Sequence, residues 1–217
     1  MIVVIGSVSL RDDEPDGRAA RIALSAAATG ARVQLISKVG DDPAGDALLL
    51  GLANGGVGHA AILRDAAFST DRRVATDDVA GGISEPDPEA GERDNGAGMG
   101  VRHPSLDSAD VGLALRYLGD YRVLVVADPD ASAGLLEATD AARWAGAHLI
   151  VVIGPGATPS AALPDDTVVV EADGESSDSG DGLADLLGRY AAAVDRGDAA
   201  PTSFVDFAAA ASGGSSP

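Results

Sequence analysis

The tetrapeptide Asp178-Ser179-Gly180-Asp181 stands just ahead of an Ala/Leu-rich stretch, Leu183–Val194, whose pattern predicts a helix. A helix start carries N–H groups with no partner inside the helix, and its dipole favours phosphate oxygens there. A carboxylate beside such donors can orient or deprotonate a hydroxyl. The same residue types also cap helices with no ligand involved. The residues alone admit both readings.

Arg11, Arg18 and Arg21 form a second group, within eleven residues of an otherwise acidic chain. Guanidinium forks match phosphate and carboxylate oxygens, so the three could line an anion pocket. They could equally pair with Asp12, Asp13, Glu14 and Asp16 as surface ion pairs.

Composition removes several chemistries. The chain has no cysteine, which excludes disulfides, thiolate catalysis and Cys-ligated zinc. His59, His103 and His148 are scattered without ligand spacing, so no metal site is expected from them. Gly154-Pro155-Gly156 mimics half a dinucleotide fingerprint but lacks the third glycine, and reads as a turn. Trp144 reads as a core or interface residue.

Charge is the strongest compositional signal. Acids number 34 against 15 basic residues, giving a net charge of −19; 27 of the acids are Asp, and Lys38 is the sole lysine. Such self-repulsion destabilises a compact fold in dilute buffer, whereas molar salt shortens the Debye length to about 3 Å. The expectation is a cytoplasmic protein adapted to high salt. No basic stripe is present to displace counterions, so nucleic acid is not expected as a partner. No run of 18 apolar residues could form a transmembrane helix. The opening Met1-Ile2-Val3-Val4-Ile5 is strand-like, so no secretory leader is expected.

The elements that must position these residues alternate along the chain. Strands are predicted at Ile2–Ile5, Val33–Ser37, Ala60–Leu63, Val123–Ala127, Leu149–Ile153 and Thr167–Val170. Helices are predicted at Gly17–Thr29, Ala44–Asn54, Ser108–Leu118, Ala133–Ala145, Leu183–Val194 and Ser203–Ala211. Runs such as Val123-Leu124-Val125-Val126 lack a polar alternate, as strands covered on both faces do. This predicts an α/β fold: a doubly wound, mostly parallel sheet with helices on both faces. The length suits a single domain, 1–217, with a flexible loop or lid remnant at 80–103 and a disordered tail at 212–217.

From Gly30 to Asp65 the chain runs through a strand, Val39-Gly40-Asp41-Asp42-Pro43-Ala44-Gly45, a Leu-rich helix, Gly56-Val57 and Arg64-Asp65, with Ser69-Thr70 following. In this block it resembles the ribokinase-like (PfkB) family of sugar and nucleoside kinases. The resemblance continues over Asp16–Gly30 and, more weakly, from Asp107 onward. It implies a ribokinase-like fold, shortened and with a reduced lid. The Asp41-Asp42 pair is then structural.

The resemblance also assigns roles. Asp178-Ser179-Gly180-Asp181 aligns with the family's G-A-G-D, making Asp181 the catalytic base and Ser179, Gly180 and Gly182 an anion hole. Glu175, the last residue of a segment opposite P-N-E-x-E, falls near Mg²⁺. The sugar-holding groups of G-x-x-N-x-D become Ser9 and Arg11. The family's G-G-x-x-x-N becomes Asp16-Gly17-Arg18-Ala19-Ala20-Arg21, leaving Gly17, Arg18 and Arg21 as candidate substrate or anion ligands. Several dozen residues of the family's nucleotide site have no counterpart. The implied function is an ATP-dependent sugar kinase with phosphotransfer impaired or absent, using ATP and Mg²⁺ if active. The alternative is a non-catalytic ligand-binding or regulatory relative, with a sugar-like or anionic small molecule as ligand and a homodimer as a further option.

Overall fold

The computed structural model describes residues 1–73, 104–128, 132–159, 162–172, 178–200 and 204–213. Six strands form one parallel sheet: β1 (Ile2–Ile5), β4 (Val33–Gly40), β5 (Val57–Asp65), β7 (Val123–Val126), β8 (His148–Ile153) and β9 (Val168–Glu171). Their order is β5-β4-β1-β7-β8-β9, so the winding reverses between β1 and β7.

Alternation along β1 builds two cores. Ile2 and Val4 face a core shared with helices α1 (Arg18–Ala28), α2 (Pro43–Asn54) and α5 (Asp178–Arg196). Val3 and Ile5 face the other, covered by α3 (Ser108–Tyr117) and α4 (Ser132–Ala145). Successive side chains of a strand point to opposite faces, and helices cover both, which explains the unbroken apolar runs. The predicted doubly wound α/β architecture is the observed one.

Three short strands form a second sheet: β2 (Ser9–Arg11), β3 (Glu14–Asp16) and β6 (Arg72–Arg73), in the order β3-β2-β6. Alternation gives no signal for pieces this short. Asp12 and Asp13 join β2 to β3 with φ of 50° and 65°, as a two-residue hairpin with both central residues left-handed requires. Aspartate tolerates that region better than most side chains, so this pair makes a turn as well as hydrating the surface.

Boundaries differ in two informative places. Helix α5 begins at Asp178, five residues earlier than the apolar pattern predicts, because its first turn is polar and glycine-containing. Helix α6 (Phe204–Gly213) includes Ser212 and Gly213, expected in the tail; Phe204 and Phe207 anchor it on the Tyr190 ring. Residues 214–217 and the 80–103 segment lie outside the described residues.

Candidate functional site

In open parallel sheets, ligands bind beyond the carboxyl ends of the strands, where the winding reverses. Here that point lies between the ends of β1 and β7, where the Ser7 hydroxyl donates to Asp128 Oδ2 at 2.7 Å. Ser7, Val8, Ser9, Gly17, Asp71, Arg73 and Pro104 line a cleft of about 80 Å³ beside it. Ser9 is 2% exposed, and its buried hydroxyl makes no hydrogen bond among the described residues. Gly17 takes φ 94° as the N-cap of α1, and a Cβ there would sit 3.3 Å from the Ser7 carbonyl. The N-cap Gly17 supplies no side-chain cap to α1.

Beside this cleft two of the arginines converge on a carboxylate of the chain itself. Arg21 donates from Nε to Asp16 Oδ1 at 2.9 Å, and its Nη2 lies 2.7 Å from the same oxygen. Arg11 Nε lies 2.9 Å from Oδ2, close enough for an ion pair but off the hydrogen-bonding axis. Burial of Asp16 (3% exposed) works to raise its pKa. The Gly17 N–H, the Arg21 hydrogen bond and the charges of Arg21 and Arg11 outweigh burial and hold the pKa below the ordinary aspartate value. Arg18, the first residue of α1, is also buried, a location a guanidinium takes only with partners.

Helix α5 brings the other candidates to the same edge. Ser179, Gly180, Asp181 and Gly182 all fall in or next to its first turn rather than in a loop before it. A Cβ built on Gly182 meets no atom within 4 Å, so space is open there. The α1–α5 contact fixes the level of this turn. The Ser25 hydroxyl lies 2.6 Å from Asp185 Oδ1 and 2.8 Å from the Asp185 carbonyl. Each of these residues stands about two turns into its helix, so α1 and α5 begin level at the sheet's carboxyl edge. Gly188 allows the close approach, since a Cβ there would come within 2.5 Å of the Ile22 carbonyl oxygen. The structure therefore gathers Arg11, Gly17, Arg18 and Arg21 at one helix start and sets the Asp181 turn at its neighbour's. Glu175 lies outside the described residues.

The Val39–Gly45 motif has a different task. Asp42 caps α2, accepting from the Gly45 N–H at 2.7 Å, the Thr70 N–H at 2.8 Å and the Thr70 hydroxyl at 2.8 Å. Thr70 in turn accepts from the Gly40 N–H at 3.0 Å. Burial again works to raise the Asp42 pKa, and the hydrogen bonds from Gly45, Thr70 and Ala44 bring it below the usual value. Every donor is satisfied internally, so this cluster latches the loop after β4 to the approach to β6. Arg64 occupies the neighbouring Asp41, at 2.7 Å.

Sequence reasoning missed Ser7–Asp128 and the contribution of Asp71 and Arg73. Ser7 and Asp128 are 121 residues apart, and β6 is two residues long. No local pattern announces either. Among the described residues no group of three His, Asp or Glu side chains could hold a metal ion. Open space is shown at Gly182, just past the first turn of α5, and the carboxylate that the resemblance links to Mg²⁺ falls outside the described residues. No described helix is long and apolar enough to cross a membrane.

Solved structures share this architecture. A match to the E. coli protein assigned as ribokinase II, in complex with ATP and Mg²⁺, has a TM-score of 0.53 at 13% identity, covering 87% of this chain and 85% of that one. The apo form of a protein so assigned matches with a TM-score of 0.52 at 16% identity, over 72% of this chain and 53% of that one. Aminoimidazole riboside kinase from Salmonella enterica, complexed with aminoimidazole riboside and an ATP analogue, matches at 20% identity with a TM-score of 0.47, over 70% and 49%. The match thus spans about half of that kinase's length. No family model matches the chain, and no curated protein does. The fold is ribokinase-like.

Proposed function

We propose that this chain is a ribokinase-fold protein that binds a small polyhydroxyl or anionic ligand at the cleft between Ser9 and Gly17, with phosphotransfer impaired or absent. One observation carries the reading: Arg11 and Arg21 both close on Asp16. By the resemblance, Arg11 and Arg21 align with positions at which a sugar kinase holds its substrate. A sugar hydroxyl needs groups that both donate and accept, and a guanidinium only donates. Here Arg21 is hydrogen-bonded to Asp16 and Arg11 is ion-paired with it.

Binding still has support. The buried Ser9 hydroxyl can both donate and accept, and the start of α1 at Gly17 lies across the same cleft. About 80 Å³ accommodates a small group more readily than a whole nucleoside. The role of Asp181 as base, with Ser179, Gly180 and Gly182 as anion hole and Glu175 at Mg²⁺, belongs to the kinase alternative. The open space at Gly182, just past the first turn of α5, is what favours that alternative.

Thermal shift in 2 M KCl tests the reading, using phosphate, ribose, ribose 5-phosphate and ATP with Mg²⁺. The expected result is a saturable rise with phosphate or the sugar phosphate, lost in Ser9→Val, and none with ATP. A shift with ATP and Mg²⁺ matching that of the sugar ligands would overturn it.

A further inference from the structure

Among the described residues, the helices on the second face of the sheet leave an apolar surface uncovered. Trp144 is 90% exposed, Tyr117 85%, Leu136 55% and Leu113 54%. Leu113 and Tyr117 sit one turn apart on α3; Leu136 and Trp144 sit two turns apart on α4. Their spacing puts all four on the outward sides of two helices that pack on each other, away from the buried Val111, Ala114, Leu115, Leu135, Ala138 and Ala142. Between the helices runs a groove of about 560 Å³, floored by Leu115 and Leu118 and walled by Trp144. The chain has three tyrosines, three phenylalanines and one tryptophan. Placing two of these seven almost fully in water, on one face of a −19 molecule, is a concentrated exposure of what the chain otherwise scarcely spends.

We propose that this face is a two-fold interface with a second copy of the chain. Area is the first argument. At about 150–250 Å² per aromatic side chain, Trp144 and Tyr117 uncover roughly 350 Å² per copy, and the half-exposed Leu113 and Leu136 extend the patch. Two copies then bury roughly 700 Å² from the aromatics alone, and the leucines with their flanking residues bring the contact toward the roughly 1,200 Å² of a specific interface. Shape is the second: Trp144 stands at the rim of a groove larger than its own side chain, so knob and hole lie side by side, as a self-complementary two-fold contact requires.

Charge sets the salt dependence. The groove carries Arg116 on α3 against Asp120, Glu137 and Asp140, so like the rest of the molecule it holds more acids than bases. A two-fold axis that crosses α3 of one copy with α4 of the other brings Arg116 to Glu137 and Asp140 in both directions. The repulsion that remains between the copies is screened by salt. Association should therefore tighten with salt.

Trp144, the sole tryptophan, reports on its own contact. The experiment follows its emission and the molar mass by light scattering from about 1 µM to about 500 µM protein, at 0.1 M and 2 M KCl. The expected result is a blue shift that grows with concentration together with a doubling of mass, both stronger at 2 M. Leu136→Glu and Leu113→Glu, each at an exposed position, should move the half-point at least tenfold upward without changing the far-ultraviolet circular dichroism. A monomeric mass with water-exposed emission across the range overturns the proposal. So does a blue shift at monomer mass, which would assign the groove to the chain's own residues or to a small molecule. Mass growing beyond the dimer also overturns it, because a two-fold contact closes.

Discussion

Arg21 holds Asp16 through two of its nitrogens on one carboxylate oxygen, at 2.7 and 2.9 Å, at the point where the hairpin meets α1. The pair ties the small sheet to the helix that borders the cleft. Arg21→Leu leaves a buried carboxylate with the Gly17 N–H and an off-axis Arg11, and uncompensated groups of this kind cost about 1–3 kcal/mol. Urea unfolding in 2 M KCl should show that loss, and Arg21→Lys should recover only part of it, since an ammonium cannot present two donors in a fixed fork.

Acid stability should report Asp42 and Asp16. Both have folded pKa values held below the ordinary range, so their stabilisation is complete above the unfolded value of about 3.9. It is lost as pH falls through the folded values. Asp42→Asn keeps one acceptor oxygen and should cost about 1–2 kcal/mol at pH 7. Its stability should also fall less steeply than wild type's below pH 4. Parallel acid limbs for the two proteins would contradict the latch geometry.

The parallel sheet and the six helices were legible in the sequence because each rests on local periodicity. Val123–Val126 announces a doubly covered strand by itself. The small sheet was not legible, since two- and three-residue strands carry no period and β2 finds β6 some sixty residues away. The start of α5 was hidden for a related reason: Asp178–Asp181 is helical without an apolar face. At the site, the sequence offered Asp16 and the arginines as neighbours in the chain, but not which anion they would grip. That choice depends on the turn at Asp12-Asp13, which brings Arg11 back toward Asp16.

Gly188 makes a sharp packing test. A methyl group there must displace the Ile22 carbonyl, the Ser25 Cβ at 2.7 Å and the Ala26 nitrogen at 2.9 Å. Gly188→Ala gains helix propensity, yet overpacking against backbone costs about 1–3 kcal/mol and should dominate. A lower melting temperature is expected; a higher one would mean that α1 and α5 are not locked at this level.

Salt should stabilise the fold strongly. With a net charge of −19 and a single lysine, the melting temperature is expected to climb steeply between 0.1 M and 2 M KCl. A melting curve indifferent to KCl would remove the reading of the acidic surface as salt adaptation.

Phosphoryl transfer depends chiefly on positioning and charge stabilisation, so Arg11 and Arg21 bound to Asp16 should cost turnover more than any single lost donor. The direct measurement compares wild type with Asp181→Asn for transfer from ATP to ribose and related sugars, in 2 M KCl with Mg²⁺. The account predicts equal rates at background for both proteins. A robust wild-type rate abolished by this nearly isosteric change would contradict it and establish a kinase.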